Sequence, residues 1–123
     1  GDRHSYWMLS FTIDTDALGW TAPEFTKAVT AEGVPLHGPY LGTPEHGPLY
    51  RNPFLAEPQL YGKSRFPLDA GRDRPVDYRK VVLPVGEELL SRNINFAMVP
   101  TLTEEDVSDI IQAIRKVALS RKH

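Results

Sequence analysis

The residues best suited to chemistry lie in one stretch, residues 37–54, which combines tyrosines, histidines and an arginine with several prolines and glycines. Phenol, imidazole and guanidinium groups can orient a polyhydroxylated or anionic ligand through hydrogen bonds and stacking. Two interpretations are open from the residues alone. Either the stretch is a ligand-binding surface, or its rings are a satellite of the core and Arg51 binds a backbone carbonyl.

Other candidate chemistry is weaker. His37 and His46 lie nine residues apart, but a metal site needs further ligands at compatible spacing, so ordinary hydrogen bonds are the favoured role and no metal site is predicted. Asp14-Thr15-Asp16 could be half of a carboxylate pair, yet this composition after a strand is typical of a turn. The sequence contains no phosphate-binding glycine loop and no zinc-protease or serine-hydrolase motif. A self-contained hydrolase therefore lacks a nucleophile–base pair at motif spacing.

Composition excludes several classes of protein. Fourteen basic and sixteen acidic residues give a net charge of −2, too balanced for a protein that binds nucleic acid phosphates. The absence of cysteine excludes a disulfide scaffold, a Cys-zinc site and thiol catalysis, and it fits a reducing compartment. No run of apolar residues is long enough to span a membrane. Neither a nucleic acid nor a membrane partner is predicted.

A loose basic run lies between Gly62 and Lys80 and is interrupted by aspartates. This mixture favours a solvated face over an anion or partner contact. Its basic members are Lys63, Arg65, Arg72, Arg74, Arg79 and Lys80.

The elements that would position these residues are predicted from the periodicity of apolar residues and from the capping residues, prolines and glycines between them. The predicted order is strand, helix, short strand, long loop, helix, strand and helix. These elements are expected at residues 6–13, 21–33, 34–37, 39–75, 84–92 and 93–99, and from residue 103 onward. Proline density prevents a long helix in residues 39–75, although its aromatic residues argue against a disordered linker. The predicted fold is a small α/β (α+β) domain, with a three-stranded sheet packed by helices on one face.

The first strand and the last helix have the clearest patterns. In the strand, Trp7, Leu9, Phe11 and Ile13 alternate onto one face. In the helix, Thr103 and the acids after it resemble a capping box. The helix then carries an apolar stripe made by Val107, Ile110, Ile111, Ile114, Val117 and Ala118.

Several strings of the sequence resemble the C-terminal domain of the sugar aminotransferases of the DegT/DnrJ/StrS type. They are Ala31-Glu32-Gly33-Val34-Pro35, Gly38-Pro39-Tyr40, Pro48-Leu49-Tyr50-Arg51-Asn52-Pro53-Phe54, and the final helix from Leu102-Thr103-Glu104-Glu105-Asp106 to Val117. The resemblance covers nearly the whole chain. The Pro-Leu-Tyr-Arg-Asn-Pro run looks most like members that aminate keto-cyclitols such as inososes.

This resemblance implies a cytoplasmic, homodimeric pyridoxal-phosphate enzyme of the aspartate-aminotransferase fold. Such an enzyme moves an amino group from glutamate or glutamine to a keto-sugar or keto-cyclitol. It implies that residues 1–123 form one domain, the small C-terminal one, and that the N-terminal cofactor domain is missing from this chain. None of the lysines lies in the family's cofactor-lysine motif; they are Lys27, Lys63, Lys80, Lys116 and Lys122. The fragment alone is thus expected to be inactive, with no catalytic or cofactor-binding residue and no bound cofactor.

The resemblance also implies that this domain forms one wall of the substrate cleft. It assigns substrate binding to Tyr40, His46, Tyr50 and Arg51. The tyrosines and His46 would bind ring hydroxyls, and Arg51 would pair with a donor carboxylate or a substrate phosphate. Val99 departs from the pattern, because many members have a histidine there. The alternative is a stand-alone α/β module that binds a small ligand or a protein without chemistry. If residues 39–75 pack on a missing domain, several of their rings should be exposed.

Overall fold

The computed structural model describes residues 6–39, 47–57, 62, 64, 66–68, 70–71, 73–74 and 76–121. The chain divides into two compact units, and each is described by itself. The first unit is formed by residues 1–40 and 91–123, and the second by residues 41–90.

In chain order, the described elements are β1 (Met8–Thr12), α1 (Thr15–Leu18), α2 (Ala22–Ala31), β2 (Leu36–His37), a three-ten turn (Leu49–Arg51), α3 (Pro53–Ala56), a second three-ten turn (Tyr78–Lys80), α4 (Pro84–Arg92), β3 (Asn93–Ala97) and α5 (Glu104–Leu119). None of the helices in the described ranges is both long and apolar enough to cross a lipid bilayer.

The three strands form an antiparallel sheet in the order β1-β3-β2, with β3 in the centre. Leu9 and Leu36 both pair with Phe96, one from each side. The central strand comes late in the chain, so the sheet closes only when residues far apart in sequence meet. The predicted α+β fold with a small three-stranded sheet is confirmed.

The hydrophobic core of the first unit lies between one face of this sheet and the helices α2 and α5. Ile94 and Phe96 alternate onto that face from the central strand, and Phe25, Val29 and Val117 cover them from the helices. Among the described residues of this core, the other buried apolar ones are Ile13, Ala22, Val34 and Leu36. Asn95 points to the opposite face and is also buried; its Nδ2 donates to the carbonyl of Gly38 at 2.7 Å.

Two capping boxes fix where the main helices begin. The Thr21 hydroxyl accepts from the Glu24 backbone N–H while the Glu24 carboxylate accepts from that of Thr21, and Thr103 and Asp106 repeat this arrangement at α5. Each box satisfies backbone donors that the first helical turn leaves unpaired. The start of α2 at Thr21 and the start of α5 at Thr103 were both predicted, and both are confirmed.

Two details differ from the expectations. The Asp14-Thr15-Asp16 segment begins a one-turn helix instead of a simple turn, because the Asp14 carboxylate caps α1 by accepting from the Ala17 N–H at 2.9 Å. In β1, Ile13 is buried and Phe11 packs on the core, but Leu9 and Trp7 are 45% and 66% exposed. Because β1 is an edge strand and the core lies under its C-terminal half, its predicted apolar face is only partly covered.

Replacing Ile94 by valine tests the position of the core. Ile94 is fully buried, so loss of one methylene should lower the free energy of unfolding by about 1 kcal/mol. Urea denaturation followed by circular dichroism measures this change. The matched control, Ile111→Val at a side chain that is 44% exposed, should change it by less than about 0.5 kcal/mol. Equal losses in both variants would contradict the placement of the core.

Candidate functional site

The Pro48–Phe54 motif folds into two consecutive tight turns in the second unit. The first is the three-ten turn Leu49–Arg51, and the second is α3, which starts at Pro53. Proline suits a first helical position because its missing N–H would be unpaired there anyway. The Asn52 side chain then caps α3 by accepting from the Phe54 N–H at 3.1 Å. The two turns hold Tyr50 and Arg51 on a short, well-defined segment.

Both of these side chains bind the carboxylate of Glu87 on α4. The Tyr50 hydroxyl donates to Glu87 Oε1, and Arg51 Nη2 donates to Glu87 Oε2 at 2.7 Å. The Arg51 side chain remains 50% exposed and that of Glu87 26% exposed. We call this group the Tyr50–Arg51–Glu87 cluster. It joins positions 36 or 37 residues apart in sequence into one polar surface.

The backbone at the start of α4 positions Glu87. The Leu83 N–H lies 3.3 Å from the Tyr50 hydroxyl oxygen and 3.4 Å from Glu87 Oε1, so it donates to both sides of the contact. Glu87 sits in the first turn of α4, after Pro84, where the positive end of the helix dipole favours a negative charge. The start of α4 thus positions the Glu87 carboxylate, and the three-ten turn Leu49–Arg51 positions its two donors, Tyr50 and Arg51.

The contact between Glu87 and Tyr50 shifts the pKa values of these two groups in opposite directions. The hydrogen bond from Tyr50 lowers the pKa of Glu87, with the Leu83 N–H and Arg51 acting in the same direction. Desolvation raises the pKa of the Tyr50 phenol, and its hydrogen bond to Glu87 adds to this effect. At neutral pH the cluster therefore holds a neutral phenol, a carboxylate and a guanidinium.

The half-exposed groups of the cluster retain binding capacity. Arg51 has five N–H donors, and Glu87 takes one Nη2 contact, while the phenol and carboxylate oxygens carry further lone pairs. A surface that offers donors and acceptors side by side suits the hydroxyl groups of a sugar or cyclitol ring.

The structure covers two of the four predicted site residues. Tyr50 and Arg51 are brought together, whereas Tyr40 and His46 lie outside the described residues. Arg51 binds a carboxylate, in contrast to the alternative in which it binds a carbonyl. Tyr50 is half-buried, and Phe54 and Phe66 are 57% and 58% exposed. These three rings of the predicted loop at 39–75 are therefore not core residues.

Sequence reasoning missed Glu87. The periodicity of Val82, Val85 and Leu89 placed the helix correctly at 84–92, but it did not distinguish Glu87 from Glu88. A usable signal was present, because an acid in the first turn that follows a proline can reach back to the N–H before that proline.

The other candidates from the sequence have ordinary partners. His37 Nδ1 lies 3.2 Å from the carbonyl of Gly38. In the basic run, Asp77 accepts from Arg79 Nε at 2.9 Å and lies 3.7 Å from Lys80 Nζ. The side-chain hydrogen bond from Arg79 lowers the pKa of Asp77 to about 2. Within the described ranges, no group of three or more metal-binding side chains could hold an ion.

A groove of about 430 Å³ lies in the first unit between the end of α2, the end of β3 and the start of α5. Its acidic side chains include Glu32, which binds Lys116 at 2.5 Å, and Asp106, which closes the capping box of α5. Because both carboxylates already have structural partners, the groove is a weaker candidate for a ligand-binding site than the Tyr50–Arg51–Glu87 cluster.

The described lysines do not fit a pyridoxal-phosphate site. A lysine that holds this cofactor needs a desolvated, cofactor-lined pocket. The side chains of Lys80 and Lys116 are 84% and 69% exposed, and Lys27 is exposed on α2.

Comparison with known proteins adds a specific relative. The chain is 34% identical over 121 residues to L-glutamine:2-deoxy-scyllo-inosose aminotransferase of Streptomyces kanamyceticus. The resemblance to sugar aminotransferases is confirmed. The match covers 97% of this chain but 26% of the relative, so the chain spans about a quarter of the relative's length, consistent with a C-terminal fragment of a sugar aminotransferase. No family model matches the chain, and no solved structure matches it either.

Replacing Tyr50 by phenylalanine tests the cluster. Because Glu87 has a lowered pKa in the folded chain, its contribution to stability is present above about pH 4.3, the ordinary value, and is lost as the pH falls through the lowered value. Loss of the phenol donor should raise the pKa of Glu87 towards its ordinary value. The free energy of unfolding should then fall less on acidification than it does in the parent chain. Carboxyl ¹³C NMR titration measures the pKa.

The same titration contains its own control. Asp106 also has a lowered pKa, caused by the Thr103 hydroxyl and backbone N–H, and Tyr50→Phe should leave it unchanged. A Glu87 pKa that is the same in the variant and in the parent chain would show that the Tyr50 contact does not form.

Proposed function

We propose that the chain is the C-terminal, substrate-side domain of a cytoplasmic, homodimeric pyridoxal-phosphate aminotransferase. The complete enzyme transfers an amino group from glutamine or glutamate to a keto-sugar or keto-cyclitol, with ketones of the inosose type as the first candidates. In this proposal residues 39–75 contribute to the substrate cleft, and the cofactor and its lysine belong to the part of the enzyme that precedes this chain.

The observation that carries the proposal is the similarity to an aminotransferase over 97% of the chain. The name of that relative specifies a glutamine donor and a keto-cyclitol acceptor. An alignment that runs through almost every element is stronger support than any single motif, since short motifs such as Gly-Val-Pro recur by chance.

The structure supports the same proposal at the level of the site. Tyr50 and Arg51, which the resemblance assigns to the substrate, converge on Glu87 and remain accessible. The exposure of Phe54 and Phe66 agrees with a surface that packs on another part of a larger enzyme. The resemblance assigns Tyr40 and His46 to the substrate side as well, and both lie outside the described residues.

The first test is the gene that encodes the chain. The proposal expects the reading frame to continue upstream and to include a Ser-x-x-Lys segment that supplies the cofactor lysine. The complete protein, purified with pyridoxal phosphate, should then convert 2-deoxy-scyllo-inosose to its amine with glutamine as donor, as measured by mass spectrometry. A gene that encodes residues 1–123 alone, without a partner that supplies a lysine-bound cofactor, would overturn the proposal in favour of a stand-alone binding module.

Tyr50→Phe in the complete enzyme tests the substrate side. Loss of one hydroxyl contact to the substrate should lower kcat/KM by about 2- to 13-fold, since a hydrogen bond contributes about 0.5–1.5 kcal/mol. Tyr78→Phe is the matched control because Tyr78 lies in the other three-ten turn and takes no part in the cluster. Unchanged kcat/KM in the Tyr50 variant would remove Tyr50 from the substrate contacts.

A further inference from the structure

The Tyr50–Arg51–Glu87 cluster combines two opposite charges with a neutral phenol, so it has no net charge. Arg51 Nη2 lies 2.7 Å from Glu87 Oε2, within the range of a charge-assisted hydrogen bond. The second carboxylate oxygen accepts from Tyr50. Both oxygens of Glu87 are therefore directed at the two residues that the proposed function assigns to the substrate.

This arrangement changes what Arg51 can bind. A phosphate or carboxylate that approached the guanidinium would also meet the negative charge of Glu87, and the repulsion would offset much of the attraction. An uncharged ring with several hydroxyl groups meets no such penalty. It can accept from the remaining Arg51 N–H groups and donate to the oxygens of Tyr50 and Glu87.

We propose that Glu87 is a specificity-determining residue that makes this surface selective for uncharged polyhydroxylated ketones over phosphorylated or carboxylated ones. This inference rests on the proposed function and adds the charge class of its substrate. Under this inference Arg51 does not pair with a substrate phosphate or a donor carboxylate, which is the role that the resemblance implies for it.

The first experiment asks whether Glu87 neutralises Arg51, and it uses the 123-residue chain. Inorganic phosphate is titrated at constant ionic strength while the Arg51 Nε–Hε signal is followed by NMR. The signal should be unaffected in the parent chain and in the control Glu105→Gln, which removes the same charge from an exposed position on α5. It should shift saturably in Glu87→Gln. A phosphate-dependent shift in the parent chain as large as in Glu87→Gln would overturn the inference.

The second experiment measures selectivity in the complete enzyme with its cofactor bound. It compares kcat/KM for 2-deoxy-scyllo-inosose with kcat/KM for a phosphorylated keto-sugar. Glu87→Gln should lower the ratio of the two by about tenfold or more, because one repulsive charge is removed from the surface that holds the substrate. Glu105→Gln should leave the ratio unchanged. A purely structural role for Glu87 would lower both values together and leave the ratio as it was.

The outcomes separate the two proposals. If the complete enzyme is an aminotransferase but the ratio is the same in Glu87→Gln, the role of Glu87 is wrong and the proposed function stands. If the complete protein aminates neither ketone, the proposed function fails and the substrate selectivity fails with it. The phosphate titration then still decides whether Glu87 neutralises Arg51.

Discussion

The candidate site depends on one carboxylate that accepts hydrogen bonds from two neighbouring side chains. Glu87 accepts from Tyr50 and from Arg51, and the start of α4 fixes it through the Leu83 N–H. Because a carboxylate with charged and neutral donors titrates below its ordinary range, the negative charge is present throughout the neutral pH range. Removing Glu87 would leave both Tyr50 and Arg51 without the acceptor that orients them, so the cluster depends on this carboxylate.

Local chemistry predicted much of the fold. Thr21 and Thr103 are capping residues with an acid three positions later, and each marks a helix start regardless of what the helix packs against. The exposure of Leu9 and Trp7 was not predictable from alternation, because it depends on β1 lying at the edge of the sheet. Asp14 shows a similar limit, since turns and one-turn helices use the same capping chemistry.

The site was predictable in part for a related reason. Tyr50 and Arg51 stand in a recognisable string, so a resemblance could single them out. Their partner Glu87 lies 37 residues from Tyr50 and 36 from Arg51, in a helix whose sequence has no distinctive motif. A contact across that separation forms only in the tertiary structure, and it changes the charge expected of the ligand. Arg51 by itself suggests an anionic ligand, whereas Arg51 beside Glu87 suggests an uncharged polyol. The similarity to an aminotransferase supports the proposed amino-group transfer, and the Arg51–Glu87 contact supports an uncharged substrate.

A crystal structure of the complete enzyme with an unreactive, uncharged cyclitol tests this account most directly. The account predicts a ring hydroxyl within hydrogen-bond distance of the Tyr50 oxygen or an Arg51 nitrogen, with the Arg51–Glu87 ion pair retained. A structure in which the cyclitol binds away from this cluster, or in which Arg51 has left Glu87 to bind an anion, would contradict it.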